Sequence, residues 1–222
     1  MMRRRDALLG LSSLPMAAWA QPAPQIPELL WFIFLERGRP TPDDKAAVAA
    51  MQRGHIDNFK RLFGLGLLLA AGPLRDPSGL KRGIVLVRAA SREQLQSYFE
   101  PDEYVREGYM TVNATPCGAR RGLNTEGIDP NGIEESRIVL LGRRSQAAAS
   151  STTLADKLEA LLKAELIGAW YRLSEGPIAE ILFARSGNSD AVQAALAEDP
   201  GVADGSVSLA MWPQWLGKGV LR

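Results

Sequence analysis

His55 is the only histidine among the 222 residues. It is also the only side chain here whose ordinary titration falls near neutral pH, which is the property proton transfer needs. It sits in the run MQRGHIDNF, four residues after Met51 and four before Phe59. Residues four apart share a helix face, so the imidazole points with the apolar stripe Val48, Met51, Phe59 and Leu62. Two readings follow: a core histidine hydrogen-bonded to a neighbour, or a general base whose ring a carboxylate orients. Asp57 lies two positions on and faces elsewhere. Asp76, in the turn GPLRDPSG, is a candidate substrate contact, although aspartate in such a turn also serves the turn itself. Arg37, just after an apolar run, is a candidate for binding a substrate carboxylate, with a solvated loop charge as the plainer alternative. The single Cys117 has no internal disulfide partner, and one histidine and one cysteine far apart do not make a metal site. Trp31, Trp170, Trp212 and Trp215 read as core or interface.

The elements that position these residues follow from periodicity. LLWFIFL (29–35) reads as a buried strand, and Thr41-Pro42-Asp43-Asp44 reads as the start of a helix. LLLAAGP and GIVLVRA read as strands joined by a Gly/Pro/Asp turn, and Ser91-Arg92-Glu93-Gln94 as a capping-box start for a short helix. YMTVNAT closes the unit. A second set follows: RIVLL, a helix carrying Leu154, Leu158, Leu161 and Leu162, AWYRL, EILFAR, a short helix near 189–197, and SVSLAMW.

The two sets are copies. Residues 83–116 align without a gap on 180–213, with Ile84/Ile181, Arg88/Arg185, Gln96/Gln193, Asp102/Asp199, Val105/Val202, Gly108/Gly205 and Pro116/Pro213 identical. Upstream, Gly64 matches Gly168 and Gly72-Pro73 matches Gly176-Pro177. This is a tandem repeat, with 29–116 and 137–213 as its units, 117–136 as a glycine-rich linker and 214–222 as a tail. Each copy reads βαββαβ, the ferredoxin-like order. The strands are apolar without alternation, so both sheet faces are buried. The expected fold is α+β: two ferredoxin-like units packed sheet to sheet, an internal pseudo-dimer.

His55, AAGPL followed by Asp76, the SREQL helix and PDEYVREG together resemble the YCII-related family, well over 29–116 and weakly over 137–213. The resemblance implies a dimeric α+β barrel in which two ferredoxin-like sheets enclose a cleft. It implies small, cofactor-free isomerase or dehydrochlorinase activity, and a His–Asp pair that falls on His55 and Asp102. The family's Asp-Pro step is Asp102-Glu103 here, with Pro101 on the other side. In the second copy Asp199-Pro200 keeps that step, and Glu159 stands where His55 would recur, so this half reads as a scaffold.

Three functions are expected in order. The first is a metal-free isomerase or lyase using the His–Asp pair on a small organic ligand. The second is a non-catalytic ligand-binding or scaffold protein. The third is a haem-binding barrel, since other dimeric α+β barrels place a histidine under haem. The first two need no cofactor. Lys and Arg number 26 against 25 Asp and Glu, which lacks the basic excess of a nucleic-acid binder.

Residues 1–20, MMRRRDALLGLSSLPMAAWA, have a basic start, a short apolar run and a small-residue ending. That is an export-signal pattern, of twin-arginine or Sec type, and implies a periplasmic protein with no membrane anchor. The mature chain should begin at Gln21. Mass spectrometry of periplasmic extracts checks this, and a full-length cytosolic species as the sole product refutes it.

Overall fold

The computed structural model describes residues 28–143 and 152–221; the export-signal segment lies outside them. The first half runs β1 (Leu29–Arg37), α1 (Lys45–Gly64), β2 (Leu68–Pro73), β3 (Lys81–Ala89), α2 (Arg92–Ser97), α3 (Glu103–Arg106) and β4 (Met110–Arg121). The second runs β5 (Asp129–Arg143), α4 (Thr152–Lys163), β6 (Ala169–Leu173), β7 (Ile178–Arg185), α5 (Ser189–Ala197), α6 (Pro200–Ala203) and β8 (Val207–Lys218). Among the described residues no helix is long and apolar enough to cross a membrane.

The strands form a single eight-stranded sheet in the order β2-β3-β1-β4-β6-β7-β5-β8. Every pairing is antiparallel. Each half uses the same internal order. The halves join where β4 pairs with β6, through Cys117–Leu173, Gly118–Arg172 and Ala119–Tyr171. The far edges, β2 and β8, meet at a bridge between Leu74 and Gln214, next to the bond from the Arg75 amide to the Pro213 carbonyl at 2.9 Å. Two ferredoxin-like units packed sheet to sheet into a barrel were expected. The structure forms the nearly closed barrel from one continuous sheet, because edge-to-edge pairing satisfies strand edges that stacking alone leaves open.

Both faces of the strands are buried, as their unbroken apolar runs require. Phe32, Phe34, Ile84 and Leu86 meet Ile138, Leu140, Tyr171, Ile181 and Phe183 in one interior cluster drawn from both halves. On the outer face, Trp31, Ile33, Leu35, Val85 and Val87 pack with Leu62, Leu95 and Phe99 of the first half's helical layer. Val139, Leu141 and Leu182 pack with Leu158, Leu162, Val192 and Leu196 on the other side. Full burial of each large apolar side chain contributes about 1.5–3 kcal/mol.

Three boundaries differ from the sequence reading. The span 117–136 is mostly strand, and only 122–128 connects β4 to β5. Its pairing is a backbone matter, so glycine-rich composition concealed it. The tail 214–222 likewise begins inside β8, whose Trp215 and Leu216 pair with Glu135 and Glu134. The cap of α1 is Asp44, which accepts from the amides of Ala46 and Ala47 at 2.8 and 3.3 Å; Thr41 lies outside the helix. The repeat alignment has physical counterparts. Gly108 and Gly205 both have positive φ, at 73° and 78°, and Asp102 and Asp199 both cap a one-turn helix.

The barrel's closing seam leaves no room at Gly72. A Cβ there would lie 1.8 Å from the Trp215 carbonyl oxygen and 2.9 Å from the Gln214 side-chain nitrogen. Gly72→Ala should therefore cost about 1–3 kcal/mol or more in urea unfolding. Gly54→Ala, in a helix interior with nothing within 4 Å, should add about 0.5–1 kcal/mol. Equal effects at the two sites would refute the tight seam.

Candidate functional site

Helix α1 buries one face, and Met51, His55, Asn58 and Leu62 lie on it. Asn58 donates to the Tyr98 carbonyl at 3.0 Å and so ties α1 to the segment that leads into Asp102. That segment is anchored by Tyr98, Phe99 and Tyr104, all buried, and by the Asp102 amide donating to the Phe99 carbonyl at 3.0 Å. Asp102 is fully buried. One carboxylate oxygen, Oδ1, accepts from the Tyr104 amide at 3.0 Å and caps α3; the other, Oδ2, lies 2.6 Å from His55 Nδ1. The aspartate does two jobs at once, and its capping role fixes the angle at which it meets the histidine.

Two aromatic rings complete the hold on the imidazole. Phe59 packs at 4.3 Å between centroids, and Tyr104 stands edge-on at 5.7 Å. An ionised carboxylate only accepts, so a neutral ring bonded to it carries its proton on Nδ1. Nε2 then presents a lone pair and makes no hydrogen bond among the described residues. His55 lines a cavity of about 450 Å³, within the roughly 300–1,000 Å³ typical of small-molecule pockets. Its walls come from α1 (Gln52, Ile56, Phe59), from strands of the first half (Leu35, Gly72, Arg82, Ile84, Met110) and from the second half (Ile133, Trp215, Leu216).

The structure thus brings together His55 and Asp102. Arg37 does not line this cavity; it borders an adjoining one of about 320 Å³ with Arg39, Thr41, Gln52, Arg82, Tyr104, Tyr109 and Met110. Asp76 borders neither cavity. Its oxygens accept from the Ser78 amide at 2.9 Å, the Ser78 hydroxyl at 2.6 Å and the Lys81 amide at 2.9 Å. Partial burial pushes its carboxyl up, but the bonds from Lys81 and Ser78 outweigh this and hold it below the usual range. The substrate-contact reading of Asp76 gives way to turn chemistry. Burial pushes the Cys117 thiol up to about 12, so it is not a nucleophile at neutral pH. Among the described residues no group of three or more His, Cys, Asp or Glu side chains could hold a metal ion.

Gln52, Arg82 and Trp215 were not singled out as site residues by the sequence. Gln52 carried a signal, lying one turn before His55; Arg82, in a stretch the sequence reads as a turn and the structure makes the start of β3, and Trp215, beyond the aligned copies, carried none. The second half does not show this arrangement. Glu159 points outward to Arg120 at 2.6 Å, and Asp199 caps α6 through the Gly201 amide while its Oδ2 has no hydrogen-bond partner among the described residues. The corresponding space, lined by Leu141, Leu154, Leu158 and Val207, holds only about 30 Å³.

Among solved structures, a mutant chlorite dismutase from Candidatus Nitrospira defluvii in complex with cyanide superposes with a TM-score of 0.53 at 10% identity, over 83% of this chain and 90% of that one. The likeness is one of fold: that protein is a dimeric α+β barrel, and this chain has a nearly closed eight-stranded antiparallel sheet. A Lactobacillus acidophilus NCFM protein provisionally assigned as a monooxygenase aligns with a TM-score of 0.48 at 9% identity, over 84% of this chain and 92% of that one. No protein-family model matches the chain, and no curated protein does.

The Nδ1 proton predicts a tautomer switch. In Asp102→Asn the amide can keep its oxygen on the Tyr104 amide and donate its N–H to His55 Nδ1, moving the ring proton to Nε2. Nitrogen NMR should show Nε2 bare in the wild type and protonated in the variant, with the melting temperature little changed. The same tautomer in both would refute the assigned geometry.

Proposed function

We propose that this protein is a metal-free acid–base enzyme acting on a small organic molecule held between α1 and the barrel seam. His55 Nε2 takes a proton from a carbon of the substrate, and Asp102 stabilises the imidazolium that forms. The electron pair of the broken C–H bond becomes part of a new double bond. In an isomerisation the proton returns at another atom; in an elimination a leaving group departs with its own bonding pair. The observation that carries this reading is the division of labour on one ring: Nδ1 is tied to a buried carboxylate while Nε2 is left to a cavity. A purely structural histidine gains nothing from the second half of that arrangement.

The resemblance of residues 29–116 to the YCII-related family supports the same pair, with each half of the barrel read as a ferredoxin-like unit. Residues 1–20 support a periplasmic setting. One observation favours the rival reading of a binding protein with silent chemistry. Apart from His55, Arg82 is the sole ionisable side chain lining the cavity among the described residues, and none of these is a second acid that could protonate a leaving group.

His55→Gln separates the two. Glutamine can still donate to Asp102, so the melting temperature should stay within a few degrees. Deuterium incorporation into enolisable ketones and β-halogenated carbonyl compounds, followed by proton NMR in heavy water, should fall at least about 100-fold. Exchange per folded molecule that survives the substitution, together with a large loss of melting temperature, would make His55 a core residue. A Soret band in protein from cells supplied with a haem precursor would assign its Nε2 to iron instead.

A further inference from the structure

We propose that the occupant of the His55 cavity is an amphipathic organic acid, its apolar body beside His55 and its carboxylate on Arg82 and Arg37. This rests on the proposed reading of His55 as the reacting group and names the substrate class. The two cavities share Gln52, Arg82 and Met110 as walls, so they are adjoining chambers. The larger is mainly apolar, with Leu35, Ile56, Phe59 and Ile84 around the imidazole. The smaller carries three arginines and no acidic residue.

The arginines differ in how they are held. Arg39 donates to the Glu107 carbonyl at 2.6 Å and lies over the Tyr109 ring at 4.1 Å. The side chains of Arg37 and Arg82 have no hydrogen bond or ion pair among the described residues. Two unpaired guanidinium groups border one chamber and give it positive charge, which a carboxylate meets with charge-assisted bonds.

Arg82 owes its position to a local distortion. Leu35 pairs with Gly83 and Glu36 with Lys81, so Arg82 is the extra residue of a β-bulge, a device that re-aims a side chain. The second half has the same bulge: Leu141 pairs with Glu180 and Gly142 with Ile178, leaving Ala179 as the extra residue. The bulge is common to both halves, whereas the cation occurs only in the half that has the histidine and the open cavity.

Calorimetry with naphthoate, phenylbutanoate and decanoate against the matched primary alcohols tests this. At least one acid should bind the wild type about tenfold or more tighter than its alcohol, with an advantage that shrinks as salt is added. Arg82→Gln and Arg37→Gln should each shrink the ratio of acid to alcohol affinity, and His55→Gln should keep that ratio. No acid preferred over its alcohol, or a preference that survives both arginine substitutions, overturns the proposal. Acid binding without proton exchange upholds the anion subsite and defeats the catalytic reading. Exchange on neutral ketones with no acid preference does the reverse.

Discussion

A sheet with two apolar faces must be covered twice, and each half of this chain supplies helices for one face only. Everything else follows from that shortage. The bare faces of the two halves meet and share the Phe32–Tyr171–Phe183 interior. Because β4 runs on to pair with β6, and β2 touches β8, the stacked halves become one continuous wall. The barrel is thus held by burial from within and by backbone pairing around its circumference.

The same closure produces the site. The cavity lies where the ends of β2 and β3 approach β8, and Trp215 and Leu216 reach it only because β8 extends past the repeat. The dyad, by contrast, is local to the first half. His55 is set by the face of α1, and Asp102 by its obligation to cap α3. The His55–Asp102 pair and the cavity beside it therefore have different structural origins: one comes from helix geometry, the other from the meeting of two halves.

This division explains what was legible in the sequence. The apolar stripe of α1 and the strands from Leu29 to Leu35 and from Ala169 to Leu173 declared themselves through side-chain periodicity. Asp102 was reached only through its resemblance to a family motif, since its role depends on a cap and a long-range contact. Strand extensions through Cys117–Arg121 and Gln214–Lys218 were hidden, because a ladder of backbone bonds places little demand on side-chain type. Arg82 was hidden for a related reason. A bulge shifts register without changing composition.

Asp199 keeps the cap and lacks the histidine, and its unpartnered oxygen marks what single-chain construction permits. In a symmetric dimer of identical chains, each substitution appears at both sites, so a residue cannot be lost from one without the other. Here the two positions are encoded separately. The second half has Glu159 facing outward and Leu158 lining the smaller hollow, and its Trp215 reaches the cavity beside His55. An unsatisfied buried acceptor costs about 1–3 kcal/mol. Covalent linkage is what allows the two halves to differ.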